Sequence, residues 1–330
     1  MVIDGTALRD GSQFRGIGTY LRHLLTGLES YDDIEPVVVT LGRRPHRDIE
    51  RAGAALLHSP AQSPPRRSPV PWVQTLHDLT PLAFKHPLLD ADRRRWQRVG
   101  PRLRDADAVI CVSESSATQA RDLLGVDPSR LRVVPLGVSS AFGPDGPRRE
   151  GSPYVLWVSS WGPHKGLEVA AEVVMQLAAE GHPHRLVVAG YQDDAMMRRV
   201  RTAVAPAAAL DRVEVLGRVP DLAQLYRGAT ALLVTSRAEG FGLPALEAMA
   251  CGCPVVAFAN SSLPEVVGDA GVLVDDGDVD AYASAVSQVL SDESLRAQLR
   301  TNGINRANGF TWERSIAQHV EVYRSLLPSR

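Results

Sequence analysis

Short apolar runs alternate with longer helical patterns from one end of this 330-residue chain to the other, which restricts it to parallel sheets joined by crossover helices. In the first half the expected strands are Val2–Asp4, Pro36–Leu41, Ala54–His58, Trp72–His77, Ala108–Val112 and Arg132–Pro135. In the second half they are Tyr154–Ser159, Arg185–Gly190, Val213–Leu216, Ala231–Val234, Pro254–Phe258 and Gly271–Val274. Each set can form its own doubly wound α/β sheet, so the fold class is α/β with two Rossmann-like domains. Residues 142–153 are rich in turn formers and poor in apolar side chains, and read as the linker between domains 1–145 and 152–310. Helical patterns near 278–290, 292–307 and 311–327 close the chain with no strand after them.

Composition narrows the class. A hydrophobic share of 44% with 22% charged residues suits a globular enzyme. No run approaches the ~20 apolar residues that cross a bilayer. The start, Met1-Val2-Ile3-Asp4-Gly5, reads as a strand rather than a signal peptide, and a cytoplasmic location is expected. Cys251 and Cys253 are too closely spaced for the usual zinc pattern, and with Cys111 they read as packing residues. Residues 1–150 hold 21 Lys+Arg against 18 Asp+Glu and residues 151–330 hold 15 against 20, a mild asymmetry that does not suggest nucleic acid. Arg93, Arg94, Arg95, Arg98, Arg102 and Arg104 crowd one helical stretch. A solvated face is the plain reading, and weak peripheral contact with anionic lipid at the inner membrane face, or with a phosphorylated acceptor, is the alternative. The proline-rich stretch 59–71 reads as a surface loop, and the pairs Asp193-Asp194 and Asp275-Asp276 as solvated turns rather than metal ligands.

The chemistry concentrates in Glu239-Gly240-Phe241-Gly242-Leu243-Pro244-Ala245-Leu246-Glu247, which follows the strand Ala231–Val234 and opens a helix. Gly240 and Gly242 permit a sharp turn with close ligand approach, and Pro244 suits the first helical position, where an N–H is not needed. Glu239 then lies on the loop and Glu247 one turn into the helix. Free N–H groups of Leu243, Ala245 and Leu246 are expected at the helix start, where the macrodipole favours an anion. A diphosphate seat flanked by two carboxylates suits a nucleotide sugar, because each carboxylate can accept from a vicinal diol. The bland alternative is a strand-turn-helix corner with solvated glutamates.

Other residues fit the same ligand. Lys165 is the only lysine of the second half and follows the strand Tyr154–Ser159 in a Gly162–Gly166 loop, where it can stabilise a diphosphate leaving group. His77 ends a strand of the first sheet. Gly16 and Gly18 are expected in the loop entering the first helix, close to a phosphate or to the acceptor. Val219, in Gly217-Arg218-Val219-Pro220, should line the nucleotide base. Gly16-Ile17-Gly18-Thr19-Tyr20-Leu21 lacks the third glycine of a dinucleotide fingerprint, which argues against an NAD enzyme.

The chain resembles the retaining glycosyltransferases of family 4, with mannosyl-transferring relatives in view. The likeness lies in Gly16–Tyr20, His77-Asp78-Leu79, Val112–Ser116, Pro135–Val138, Tyr154–Val158, Pro163–Leu167 and the Glu239–Glu247 block, which together span nearly the whole chain. The resemblance implies the GT-B fold, with two Rossmann-like domains facing a central cleft and the C-terminal helix 311–327 crossing back onto the N-terminal domain. It implies a hexosyltransferase acting with retention and without a metal or other cofactor. Glu239, Lys165 and His77 would be catalytic, with Glu247, Phe241, Gly242, Leu243, Val219 and Ser160 binding the donor. Ser160 departs from the family, many of whose members have an arginine there. The partners implied are a nucleotide sugar and an acceptor that is a glycan, a lipid-linked glycan or a small molecule. A GT-B nucleotide-sugar epimerase, or a non-catalytic sugar-nucleotide-binding protein, is the alternative.

Overall fold

A computed structural model describes residues 1–9, 16–40, 45–60, 64–160, 162–190, 194–209 and 211–327. Two compact units emerge, Met1–Gly137 with Phe310–Arg330, and Val138–Gly309. Residues 61–63 of the proline-rich stretch and Asp193 lie outside the described residues.

In the first unit, β1 (Val2–Asp4), β2 (Val37–Val39), β3 (Leu57–Ser59), β4 (Trp72–Leu76), β5 (Ala108–Cys111) and β6 (Leu131–Val133) form one sheet in the order β2-β1-β3-β4-β5-β6. Every pairing is parallel. Helices α1 (Gly16–Leu28), α2 (Pro45–Arg51), α3 (Thr80–Ala83), α4 (Asp90–Val99) and α5 (Glu114–Leu124) connect the strands. Local chemistry sets their ends: Ser113 and Ser116 exchange capping bonds at the start of α5, and Gly125 closes it in the left-handed conformation at φ +67°. The arginine-rich stretch is more than a solvated face. Arg93 pairs with Asp90 at 2.6 Å and reaches the Pro81 carbonyl, Arg102 donates to the Pro64 carbonyl, and Arg104 donates to the Leu124 carbonyl.

The second unit repeats the plan with β7 (Tyr154–Val158), β8 (Arg185–Ala189), β9 (Val213–Gly217), β10 (Ala231–Val234), β11 (Val255–Phe258) and β12 (Val272–Val274). Its order is β12-β11-β10-β7-β8-β9, again parallel throughout. Helices α6 (Leu167–Ala179), α7 (Asp194–Ala208), α8 (Leu222–Gly228), α9 (Leu243–Ala250), α10 (Leu263–Val267), α11 (Val279–Ser291) and α12 (Glu293–Ala307) surround the sheet. Val155, Trp157, Leu233, Val256 and Phe258 pack with Ala170, Val173, Val174 and Leu177 of α6 in one buried core. The 142–153 segment belongs to this unit. Arg149 pairs with Glu214 at 2.7 Å, and Arg227 donates to the carbonyls of Gly143 and Pro147.

The last helix, α13 (Trp312–Leu326), packs on the first unit. Trp312, Ile316, Val320 and Tyr323 recur at helical spacing on its buried face. A Cβ on Gly27 would strike Ile316, and one on Gly137 would strike the backbone at Trp312, so both glycines make room for this helix.

A buried chain of hydrogen bonds runs beneath α13. Nδ1 of His319 faces the Ser315 carbonyl at 2.7 Å and must donate to it, leaving Nε2 to accept from the Tyr20 hydroxyl at 2.7 Å. The direction then propagates: Thr75 donates to Tyr20 at 2.9 Å, Nε2 of His58 donates to Thr75 at 2.7 Å, and Tyr323 donates to Nδ1 of His58 at 2.7 Å. Burial holds His319 down to about 4, offset in part by the Ser315 carbonyl, so the chain is neutral.

Candidate functional site

In the second sheet the connection from β7 leads to β8 on one side, while the connection from β10 leads to β11 on the other. The carboxyl ends of the adjacent strands β7 and β10 therefore mark the topological switch point, where open α/β sheets leave a crevice for ligands. Lys165 follows β7 and Glu239 follows β10.

The two loops are laced together. Lys165 closes a turn by donating its N–H to Gly162 O at 2.9 Å, and the N–H of Arg237 reaches the His164 carbonyl at 2.7 Å. Trp157 Nε1 donates to the Thr235 hydroxyl, which in turn lies 2.7 Å from Gly166 O and 3.0 Å from Lys165 O. Gly166 sits at φ +65° against the Thr235 carbonyl, and a Cβ there would collide with that backbone.

Nζ of Lys165 meets Oε1 of Glu239 at 2.7 Å, with side chains 17% and 12% exposed. Burial pushes the Glu239 carboxyl up, but the Lys165 ammonium, its hydrogen bond and a further one from Ser236 outweigh it, so the carboxyl titrates below its ordinary value. The backbone around Glu239 is fixed as well: its N–H donates to Ser261 Oγ at 2.9 Å, and Ser262 Oγ donates to its carbonyl at 3.2 Å. Ser261 adopts φ +44° to do so, a conformation non-glycine residues seldom take.

Phe241 is buried, and Gly242, at φ +101°, is the N-cap of α9, so that Leu243 takes the first helical position and Pro244 the second, one residue later than expected. The expected fan of three free N–H groups is corrected here. Ala245 and Leu246 both donate to Gly242 O, at 3.0 and 3.2 Å, because the tight cap turns its carbonyl into the helix. Of the three, only the Leu243 N–H has no acceptor among the described residues. The seat is thus one amide at a helix N-terminus, with the Lys165 ammonium carried on the neighbouring loop.

Glu247 stands in α9, half-buried, and its Oε2 accepts from the Tyr226 hydroxyl at 2.9 Å. Burial raises its carboxyl to about 7, against a smaller lowering by the Tyr226 hydrogen bond. The two glutamates therefore differ in kind. Glu239 is held ionised by a cation, whereas Glu247 has only a neutral donor and is poised to change charge near neutrality.

His77 follows β4 in the first unit. Burial, then the field of His319, bring it down to about 3 against the Pro60 carbonyl, to which one ring nitrogen donates. Its Nε2 is buried with no hydrogen-bond partner among the described residues, and the Tyr20 ring stands edge-on to the imidazole at 4.9 Å. His77 is thus a neutral imidazole with an unused acceptor lone pair. Gly16 and Gly18 lie in the first turn of α1 rather than in a loop before it, so what they offer is helix-start N–H groups. Val219 is half-buried between β9 and α8, and Ser160 is half-buried past the end of β7. Asp276 is engaged by Arg237 at 2.8 Å and by Asn260 at 2.9 Å, and Cys111, Cys251 and Cys253 are all buried free thiols.

Sequence reasoning missed Tyr226, Ser236, Ser261 and Ser262: Tyr226 reaches Glu247 from α8, Ser261 and Ser262 reach Glu239 from the β11–α10 connection, and Ser236 reaches it across its own loop. Only Asn260-Ser261-Ser262 carried a hint, as a polar cluster directly after the strand β11.

Comparison with known proteins bears on the family and the fold. Residues 142–306 match the family model "Glycosyl transferases group 1", and residues 52–142 match "Glycosyltransferase Family 4". The O-antigen chain mannosyltransferase B of Escherichia coli is 31% identical over 274 residues, which cover 77% of this chain and 70% of the relative. A D-inositol 3-phosphate glycosyltransferase of Acidothermus cellulolyticus is 33% identical over 285 residues, 79% of this chain, and the match spans 63% of that longer protein. Among solved structures, a sucrose-phosphate synthase from Thermosynechococcus elongatus aligns with a TM-score of 0.78 at 25% identity over 94% of both chains. Anabaena HepE, solved in complex with UDP and glucose, aligns with a TM-score of 0.74 at 20% identity over 98% of this chain and 99% of its own.

Proposed function

The chain belongs to the group 1 glycosyl transferases of family 4, and from that premise we propose that it moves a hexose, mannose by preference, from a nucleoside-diphosphate sugar to an acceptor hydroxyl with retention of configuration. The observation that carries this reading is the Lys165–Glu239 pair at the switch point, beside the N-terminus of α9. A cation and an unpaired amide suit a diphosphate, and carboxylates at either end of the motif suit the hydroxyls of a sugar and a ribose.

In this reading Glu247 accepts from the ribose diol and Glu239 from hydroxyls of the transferring hexose. Lys165 and the Leu243 N–H take the diphosphate, and His77 accepts from a substrate hydroxyl through Nε2. Phe241, Gly242, Val219 and Ser160 contribute to donor binding, and Gly16 and Gly18 contribute helix-start amides. The bond from the anomeric carbon to the phosphate oxygen breaks as the acceptor oxygen attacks from the same face, and the acceptor proton passes to the departing phosphate. Lys165 and the helix start stabilise the negative charge that grows on the leaving group, a role that needs no divalent metal. The acceptor is a hydroxyl of a glycan, a lipid-linked glycan or a small molecule.

A thermal-shift panel of nucleoside diphosphates and their sugars tests this, since a ligand that binds the native state raises its transition by mass action. The donor that stabilises the protein should then release nucleoside diphosphate rapidly once acceptor hydroxyls are supplied. Absence of any nucleotide-dependent shift, or conversion of the donor sugar without an acceptor, would overturn the proposal.

A further inference from the structure

Tyr226 lies on α8, the connection between β9 and β10, and its ring is fully buried with Phe142 edge-on at 5.9 Å. A tyrosine so placed needs only to bury its ring; a phenylalanine would fill the same space. Its hydroxyl is spent on Oε2 of Glu247 at 2.9 Å, and Oε1 has no partner among the described residues. Burial and the nearby carboxylate push the phenol well above its ordinary value, so it stays protonated and remains a donor. A donor on one oxygen alone leaves the other able to accept from a ligand hydroxyl.

We propose that Tyr226 is a positioning residue for nucleotide recognition: its hydroxyl pins Oε2 of Glu247 so that Oε1 is presented to the ribose diol. This rests on the donor-site reading given above. Fixing the carboxylate in advance removes an ordering cost at binding, and the hydrogen bond also favours the ionised carboxyl that a diol requires. Among the described residues no cation supplies either service. On α8, Arg227 is occupied by the Gly143 and Pro147 carbonyls, and Asp221 caps the helix through Gln224. Beyond the end of α9, burial raises the Cys251 thiol to about 11 and pushes the Cys253 thiol up as well, so neither titrates near neutrality. Tyr226 is the one hydrogen-bond donor recorded on this carboxylate among the described residues.

The test compares wild type, Tyr226→Phe and Glu247→Gln in binding UDP and GDP, followed with whichever binds tighter and with its 2′,3′-dideoxy analogue. Tyr226→Phe should weaken binding of the ribonucleotide roughly tenfold at pH 7, move the acid limb of affinity to higher pH, and leave kcat at saturating donor within about twofold. The dideoxy analogue, which has no diol, should bind wild type and Tyr226→Phe alike. A purely structural tyrosine would lower the melting transition of the variant without separating the two nucleotides. Equal affinity of wild type and Tyr226→Phe for the ribonucleotide, with Glu247→Gln impaired, overturns this proposal and leaves the donor site standing. If Glu247→Gln itself binds as wild type does, the donor-site assignment falls and takes the proposal with it. Should Tyr226→Phe fail to fold, the wild type decides: a ribose-dependent part of affinity without an acid limb contradicts the proposal.

Discussion

Glu247→Gln should make the nucleotide-free protein more stable, and increasingly so as pH rises. Burial raises the carboxyl to about 7 in the native state, from the 4.5 of an ordinary glutamate. Between those values the native protein keeps a proton that the unfolded chain releases, so this group lowers stability as pH climbs through the window. The ceiling is ~3 kcal/mol at ~1.4 kcal/mol per pH unit. Because the side chain is half-buried and screened by solvent, ~1 kcal/mol is the share expected to develop between about pH 5 and pH 8. Glutamine cannot ionise, yet its carbonyl can still accept from Tyr226. In a unit of this size ~1 kcal/mol moves the transition by roughly 2–4 °C. Differential scanning calorimetry of both proteins at the two pH values should show the variant gaining that much over wild type on going to pH 8. The contribution of Glu239, lost as pH falls through its lowered pKa, is common to both proteins and cancels. An advantage that is the same at both pH values, or reversed, would refute a carboxyl strained by burial. The cost of keeping Glu247 makes sense for a group whose ionised form is needed only when a ligand covers it.

Other expectations follow from the same geometry. Lys165→Ala removes the cation from both Glu239 and the leaving group, and should lower kcat by roughly 10²–10³-fold with the far-ultraviolet circular dichroism unchanged; near-normal turnover would remove Lys165 from the mechanism. His77→Ala deletes one neutral acceptor and should cost about tenfold in kcat/KM, whereas unchanged kinetics would return His77 to a structural role. Tyr20→Phe strips Thr75 and Nε2 of His319 of their shared partner and should destabilise the first unit by ~1–3 kcal/mol in urea unfolding; an unmoved midpoint would show that the buried chain is not cooperative.

Much of the architecture is legible without coordinates because parallel strands buried on both faces must be apolar throughout. Runs such as Ala231–Val234 and Ala108–Cys111 announce themselves, and all twelve expected strands are present with ends displaced by at most a few residues. The placement of Lys165, Glu239 and Glu247 is legible for a related reason. Glycine and proline fix where each loop turns, and so which strand end a side chain occupies. What stays hidden is contact across loops. The sequence assigns Lys165 and Glu239 to separate parts of a ligand, whereas the fold pairs them with each other. Nothing in the local pattern of Tyr226 distinguishes a tyrosine that serves a carboxylate from one that fills a core. The Gly242 carbonyl likewise captures two amides that a motif alone leaves open. The His319–Tyr20–Thr75–His58–Tyr323 chain joins residues from both ends of the sequence, where no spacing rule applies.

The most direct test is a crystal structure of the protein with the nucleoside diphosphate that stabilises it best. The ribose hydroxyls should lie within hydrogen-bond distance of Glu247, with Tyr226 still on Oε2. A phosphate should reach both the Leu243 N–H and Nζ of Lys165, drawing that ammonium off Glu239. A nucleotide bound elsewhere, with the 2.7 Å Lys165–Glu239 contact intact and no ligand atom on Glu247, would contradict the account at its centre.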